Sequence, residues 1–392
     1  MAEKINLGAH DAVTPLQLKQ AMDAGQQPLL LDVRNADEFR QWRIEGKQDI
    51  EVLHIPYFAF IEDPDTNIVR VPRDRHITVV CAKGGASAFV AEMLRERGFQ
   101  ASNLVGGMVA WGNAHQAIEV LLAAAGPPDM RFYQINRFGK GCLAYLIGSA
   151  SQAIVVDPSR HIDAYIRLAE EHGFEIQHVF DTHLHADHIS GGRLLAEHVR
   201  APYHLRAADA AGARFAYEPL QDGQQFLVGN AHVRVIALET PGHTPGSTTF
   251  LINEQFLLTG DTLFVQGTGR PDLGGMAEPW ARSLYHTLFE KLARLPDAVW
   301  MLPAHFSDPA EVRQDGLVTA RLGDLRKGNA ALQSRNEGEF VRFILAHLTE
   351  QPAIYQDIRK ANLNLVALDE DRLVEMELGK NQCAADIAKA KI

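Results

Sequence analysis

The sequence predicts two successive α/β domains followed by a helical tail. Three observations carry that expectation. The chain has 392 residues, which suits two or three domains of about 100–200 residues each. The first 120 residues alternate strand-like and helix-like patterns, the signature of a parallel sheet covered on both faces. A Gly126-Pro127-Pro128 break within Ala123–Asp129 then separates this pattern from a second one, because two prolines after a glycine end a helix and give a stiff connection.

The elements follow in order. Leu29–Val33 is a continuous apolar run, hence a short buried strand, and Ile77–Cys81 is another, rich in β-branched residues. Between Ser87 and Gly98, residues Phe89, Val90, Met93 and Leu94 mark one helical face, with Gly98 as its stop. Leu104-Val105 runs into Gly106-Gly107, and a helix follows from Val109. After the break, Leu143–Ile147 and Ala153–Asp157 read as adjacent strands and Ile162–His172 as a helix. His178–Phe180 reads as a strand that delivers Asp181-Thr-His-Leu-His-Ala-Asp-His188 at its end. Strands at His232–Leu238, Thr248–Ile252 and Phe256–Thr259 precede a helix over Trp280–Leu295 and a strand over Val299–Leu302. Beyond His305 the pattern is helical, with a tail over Ala384–Ile392 that is expected to fray. The expected domains are therefore residues 1–122, a linker over 123–129, a second domain over 130–310, and a helical C-terminal extension over 311–392.

Composition narrows the function. Hydrophobic residues make 46% of the chain and charged residues 22%, so most of it folds. The net charge of −11 repels phosphate backbones and anionic membranes, so neither nucleic acid nor membrane is expected as a partner. No apolar run is long enough to span a bilayer, and the N-terminus lacks the pattern of a secretory signal. Three cysteines, Cys81, Cys142 and Cys383, make no disulfide framework and fit a reducing cytoplasm.

Histidine is unusually abundant, at 17 residues. His183-Leu-His185-Ala-Asp187-His188 is joined by Pro241-Gly-His243-Thr, Gly260-Asp261-Thr and Pro303-Ala-His305. A metal needs donors converging from several rigid strand ends or tight turns, and this pattern supplies them. In an extended or tightly turned segment, His183 and His185 can point to one side, with Asp187 and His188 turned to a neighbouring position. A lone histidine would more often be a core or surface residue; the combination of four such elements argues against that here.

These motifs resemble the metallo-β-lactamase superfamily, from about Met130 to His305. The resemblance implies an αββα fold with donors at one edge of its two sheets: His183, His185 and His243 for one metal, Asp187, His188 and His305 for a second, and Asp261 between them. Such full sets occur in glyoxalase II, a thioesterase, and in persulfide dioxygenases, which bind one iron. Thr182-His-Leu-His-Ala-Asp-His-Ile-Ser-Gly-Gly192 is closer to the dioxygenase pattern, as is Gly269-Arg270-Pro271-Asp272-Leu273. The dioxygenase resemblance implies one Fe(II) on His183, His243 and Asp261, a facial triad with open positions for substrate sulfur and dioxygen. His185, Asp187, His188 and His305 are then supporting residues or a second site. The hydrolase alternative implies two zinc ions and a bridging hydroxide. Arg270 either contacts a substrate carboxylate or pairs with Asp272 to fix its loop, and the second is the favoured reading. Phe306-Ser307 departs from the acidic residue and tyrosine that often follow the last histidine in the dioxygenases.

Cys81 opens the loop Cys81-Ala-Lys83-Gly84-Gly85-Ala-Ser87 just before a helix. There the helix dipole and free backbone N–H groups favour thiolate and cradle an added sulfur, and Lys83 adds a cation. A buried structural cysteine is the competing reading. With Leu29-Leu-Leu-Asp32-Val-Arg34-Asn-Ala-Asp-Glu-Phe39 and Leu104-Val-Gly-Gly-Met-Val-Ala-Trp111, this loop resembles a rhodanese domain over about residues 10–120. That resemblance implies Cys81 as a persulfide-carrying nucleophile, with Asp32 and Arg34 structural. Ala86 stands where many active loops carry arginine. Cys142 reads as a core strand residue, and Cys383 has no assigned role.

Together the two resemblances imply a persulfide dioxygenase with a sulfurtransferase domain. It would oxidise glutathione persulfide, or a similar small persulfide, to sulfite with dioxygen, and exchange sulfane sulfur with thiosulfate or sulfite through Cys81. A cytoplasmic location is expected, and a homodimer is compatible with this reading.

Overall fold

The computed structural model describes residues 7, 11–122, 129–229, 233–334 and 336–385. All of the expected linker except Asp129 lies outside the described residues, as does the tail beyond Ala385. The chain divides into two compact units. The first comprises Met1–Gln116 with Arg137–Lys140 and Leu378–Lys380; the second comprises Ala117–Asn136, Gly141–Glu377 and Asn381–Ile392.

The first unit holds β1 (Ala12–Val13), β2 (Leu29–Asp32), β3 (Val52–His54), β4 (Ile77–Val80) and β5 (Ala101–Leu104), in the order β1-β5-β4-β2-β3. Every pairing is parallel. The period of two divides the central strands between two cores. Leu29, Leu31, Ile77 and Val79 pack with Val90, Ala91 and Leu94 of the helix Gly85–Glu96. Leu30 and Val80 face the opposite way, against Leu18, Ala21 and Trp111. Both faces being covered explains why β2 and β4 read as unbroken apolar runs. The helix Pro15–Asp23 starts with a reciprocal cap between Thr14 and Gln17.

The second unit stacks two sheets. One contains β6 (Gln116–Glu119), β7 (Arg131–Arg137), β8 (Cys142–Ser149), β9 (Gln152–Val156), β10 (Glu175–Phe180), β11 (Tyr203–Leu205) and β12 (Glu218–Pro219), in reverse chain order across the sheet. The other contains β13 (Gln225–Val228), β14 (Val233–Glu239), β15 (Thr248–Ile252), β16 (Phe256–Gly260), β17 (Trp300–Pro303) and β18 (Ala320–Arg321), in chain order. Tyr145, Ile147, Ile154, Val156 and Phe180 from the first sheet meet Phe226, Val235, Phe250, Phe256 and Leu258 from the second. Helical residues Tyr165, Leu168 and Leu195 cover the outer face of the first sheet. Leu284, Leu288, Phe340 and Ile344 cover that of the second. The result is four layers, helix–sheet–sheet–helix.

Among the elements that differ from the sequence expectation are β7, the Trp280 helix and β18, a strand in the stretch expected to be helical. β7 is not apparent in the apolar pattern because buried polar side chains interrupt it. Gln134, for example, bonds both the N–H and the C=O of Val318, at 2.8 and 3.0 Å. The helix expected over Trp280–Leu295 is an α-helix only over Ala277–His286; a π-turn (Thr287–Lys291) and a 3-10 turn (Leu292–Arg294) complete it. Among the described residues, no helix is long and apolar enough to cross a membrane.

A histidine pair flanks the inter-sheet core, His204 buried and His178 half-buried. His204 Nε2 lies 3.0 Å from His178 Nδ1, and its ring stacks on Phe180. Burial, reinforced by His178, lowers the His204 pKa from 6.5 to about 4. The unfolded chain therefore binds the extra proton first, and stability falls as pH drops through the window between those values. His204→Gln should lose less stability than wild type between pH 7 and about 4.5, by on the order of 2 kcal/mol. Parallel pH profiles in denaturant titrations would show that His204 does not titrate in this range.

Candidate metal centre

The donors gather where strands of both sheets end. β10 ends at Phe180 and releases Asp181–His188; β14 ends at Glu239 and releases the His243 turn; β16 and β17 end at Gly260 and Pro303, just before Asp261 and His305. β16 and β17 pair in parallel, which sets Asp261 and His305 side by side. Gly260 has φ +53°, and a Cβ there would lie 2.6 Å from Thr182 Oγ1, so the sharp exit toward Asp261 requires glycine.

Two carboxylates hold the ligand loops. Asp157 accepts from Thr182 N at 2.6 Å and from Thr182 Oγ1 at 2.9 Å. Asp209 accepts from Leu184 N at 2.8 Å, Gly246 N at 2.7 Å and Thr244 Oγ1 at 2.6 Å, tying the His183 loop to the His243 loop. Sequence reasoning missed Asp209, because it lies outside every motif and its partners are distant in sequence.

His183, His243 and Asp261 form one donor group. Asp261 Oδ2 stands 3.4 Å from His243 Nε2 and 3.7 Å from His183 Nε2. All three atoms are buried without a hydrogen-bond partner. The far side of each ring is engaged. His183 Nδ1 donates to Thr182 Oγ1 at 2.9 Å, since that hydroxyl's own proton goes to Asp157, and His243 Nδ1 donates to Arg270 O at 2.8 Å. Both Nε2 lone pairs therefore face the unpaired carboxylate oxygen, as metal ligation requires. Burial, helped by neighbouring His185, holds the His183 pKa well below its ordinary value; burial likewise lowers that of His243. Burial opposes charge on Asp261, but His305 and His183 outweigh it and keep its pKa low. Neutral imidazoles beside a carboxylate are the protonation states of a ready metal site, and the donor set fits a divalent ion.

His305 stands behind this group. Its Nδ1 donates to Asp261 Oδ1 at 2.6 Å. Its other nitrogen belongs to a second group with Cys142, Asp187 and His188. His185 belongs to neither: its Nε2 turns to Asp157 at 3.2 Å and Asp181 at 3.8 Å, while its ring lies 4.2 Å from that of His183. Its Nδ1 is buried without a hydrogen-bond partner, so the carboxylates occupy one nitrogen of the ring and leave the other open.

Two further cysteines lie near the donors. Cys142 is a buried residue of β8, as the sequence suggested. It pairs with His305 across an antiparallel bridge, which sets its thiol beside Asp187 and His188. Cys383 lies within reach of Asp261 and His305. No local pattern could have revealed either, since both placements depend on long-range pairing.

The C-terminal helical region contributes directly. Asn362 donates to the carbonyls of His185 and His188, both at 2.9 Å, and accepts from Ser190 N. Arg270 is fully buried, with its guanidinium spent on Asp272, Thr349 O and Gln382 O. Its N–H donates to Cys383 O at 2.9 Å.

In the first unit, Gly84 N and Ser87 Oγ each donate to Cys81 Sγ at 3.0 Å. Lys83 and Gly85 are exposed on the same loop, and Ala86 is half-buried. Met108 N and Val109 N bind the carbonyls of Cys81 and Ala82. Gly107, at φ +59°, permits this approach, since a Cβ would lie 2.2 Å from Cys81 O. Asp32 and Arg34 form a buried pair at 2.7 Å, and Arg34 also donates to Trp42 O.

Residues 137–305 match the family model of the metallo-beta-lactamase superfamily, and residues 14–114 match that of the rhodanese-like domain. A hydroxyacylglutathione hydrolase of Acidiphilium cryptum is 32% identical over 239 residues, covering 61% of this chain and 91% of that protein. The chain belongs to the metallo-beta-lactamase superfamily. Within the superfamily it is also 34% identical over 176 residues to the persulfide dioxygenase ETHE1 of Bos taurus, covering 42% of this chain. It spans 65% of that relative's length. The crystal structure of ETHE1 from Myxococcus xanthus superposes with a TM-score of 0.53 at 28% identity, covering 60% of this chain and 98% of that one. The superfamily fold is thus preceded here by a rhodanese-like domain and followed by a helical region.

Because Asp209 joins the two ligand loops, Asp209→Ala should weaken metal retention about 10–100-fold, as loss of an outer partner typically does. Competition with a chelator measures this. Unchanged retention would mean that each loop holds its histidine alone.

Proposed function

We propose that the second unit is a mononuclear non-haem iron persulfide dioxygenase. Its substrate is glutathione persulfide or a similar low-molecular-weight persulfide. The observation that carries this reading is the division of Asp261: Oδ2 faces His183 and His243, while Oδ1 accepts the His305 proton. A carboxylate used in this way completes a two-histidine, one-carboxylate set. The di-zinc hydrolase alternative needs the same carboxylate to bridge two metals, and the bond from His305 competes with that role.

Ferrous iron held by His183, His243 and Asp261 would supply electron density to dioxygen, which redox-inert zinc would not. The chain's own part is to present that set. Thr182 and the Arg270 carbonyl fix the imidazole tautomers, and His305 orients the carboxylate. Full burial keeps bulk water from competing for the donors. The net reaction consumes persulfide, dioxygen and water and yields thiol, sulfite and protons; the terminal sulfur is oxidised and dioxygen is reduced. The likeness to ETHE1, named a persulfide dioxygenase, supports this substrate class.

The first unit would act as a sulfurtransferase, with Cys81 as nucleophile. An added sulfur on Cys81 would sit where Gly84 N and Ser87 Oγ now donate, with Lys83 and Gly85 completing the loop. The sulfane donor would be thiosulfate, or sulfite the acceptor in reverse. Three free cysteines agree with a cytoplasmic setting.

Two experiments test the reading. Asp261→Asn and His243→Ala should each lose iron and oxygen uptake together while the protein stays folded. His305→Ala should keep iron, with weaker affinity, because it touches the set only through Asp261. Full iron and activity in either of the first two would refute the assignment.

The second experiment feeds oxygen-uptake assays in two ways. Cys81→Ser should leave oxidation of preformed glutathione persulfide intact and abolish uptake driven by thiosulfate plus glutathione, since oxygen cannot replace sulfur as the carrier. Loss of both would place Cys81 in the metal-centre reaction. Loss of neither would leave it a structural residue.

A further inference from the structure

The turn that carries His243 rests on a helix that changes its register at the point of contact. The α-helix Ala277–His286 passes into a π-turn over Thr287–Lys291. Single π-turns inside α-helices occur frequently at functional sites. Helix and turn meet backbone to backbone: a Cβ on Gly242 would lie 2.5 Å from Leu284 Cα and 2.8 Å from Leu284 N. Only glycine fits there, immediately before the metal donor. The first and last residues of the π-turn each take one carbonyl of the segment leading to His243. Thr287 Oγ1 donates to Pro241 O at 2.8 Å, and Lys291 Nζ donates to Glu239 O at 2.8 Å. Lys291 also donates to Asp222 Oδ1 at 2.8 Å, and that oxygen accepts from Glu239 N at 2.8 Å.

We propose that Thr287 is a positioning residue of the metal centre. Its hydroxyl holds the Pro241 carbonyl, so that His243 leaves its turn aimed at Asp261 Oδ2. Asp209 restrains the chain after His243, at Thr244 and Gly246; Thr287 restrains it before. Lys291 braces the strand end behind, with less weight. Thr287 is buried, whereas the side chains of Lys291 and Asp222 are 35% and 48% exposed, so water can replace much of what Lys291 supplies. Without the Thr287 hydroxyl, Pro241 O relaxes toward another donor and the turn moves with it. A donor displaced by more than about 0.5 Å no longer matches its set. The proposal rests on His183, His243 and Asp261 holding a divalent ion, and not on that ion being iron.

The test is chelator competition for cobalt(II), added to the metal-free full chain up to one equivalent. Asp261→Asn should lose this binding, which ties the measured ion to the set. Thr287→Val keeps the side-chain shape and removes its donor. It should weaken cobalt retention about tenfold, the low end of the loss for an outer partner. It should also shift the visible bands of the bound ion, which report its ligand geometry. Thr287→Ser keeps the hydroxyl and should restore both, and Lys291→Met should cost less than Thr287→Val. Denaturant unfolding of the metal-free variants separates support of the fold from support of the donor. Should valine not fold, Thr287→Ser against Thr287→Ala gives the same comparison. The proposal is overturned if Thr287→Val changes stability alone and keeps wild-type retention and bands, or if serine fails to restore them. It is also overturned if Lys291→Met costs as much, since the whole helix end would then be the support. Cobalt binding that survives Asp261→Asn would instead overturn the donor set itself, and the role of Thr287 with it.

Discussion

One hydrogen bond organises the metal centre: His305 Nδ1 to Asp261 Oδ1, at 2.6 Å. It assigns the carboxylate's two oxygens to different tasks, and it commits the imidazole proton so that the opposite nitrogen faces the cysteine-containing group. The bond depends on parallel pairing of β16 with β17, whose ends bring the two residues together. That pairing rests in turn on Phe256, Leu258 and Leu302 in the core between the sheets. The chemistry at the edge is therefore as well positioned as the packing beneath it.

Around that bond, the polar scaffold works by satisfying protons on the outer side of each donor. Thr182, Asp157 and the Arg270 carbonyl remove alternatives until the inward-facing atoms have no protein partner left. Leaving several buried polar atoms unpaired costs about 1–3 kcal/mol each, a cost that an arriving metal would reverse. The arrangement trades stability of the metal-free chain for readiness to bind.

Much of this was legible in the sequence. His183, His243 and Asp261 were readable because each lies in a short motif at a strand end, and β2 and β4 because burial on both faces leaves an unbroken apolar run. Asp209, Cys142 and Cys383 were not, since their roles arise from contacts with residues distant in sequence. For His185 the spacing correctly placed the ring beside His183, but could not show that Asp157 and Asp181, one after each neighbouring strand, hold its Nε2. β7 was hidden for a related reason, its polar residues being satisfied by backbone groups that no periodicity records.

The bond from Arg270 to the backbone of Cys383 bears on the order in which the chain matures. The loop that supplies the acceptor for His243 is pinned by residues 112 positions later, through Arg270 and Gln382. During synthesis, both histidine loops and Asp261 leave the ribosome well before their clamp exists. Domains fold as they emerge, N-terminal part first, so the Cys81 loop is complete while the metal centre still lacks its outer supports. The His243 loop thus gains its outer support only once Gln382 and Cys383 have been made, later than the Cys81 loop is complete.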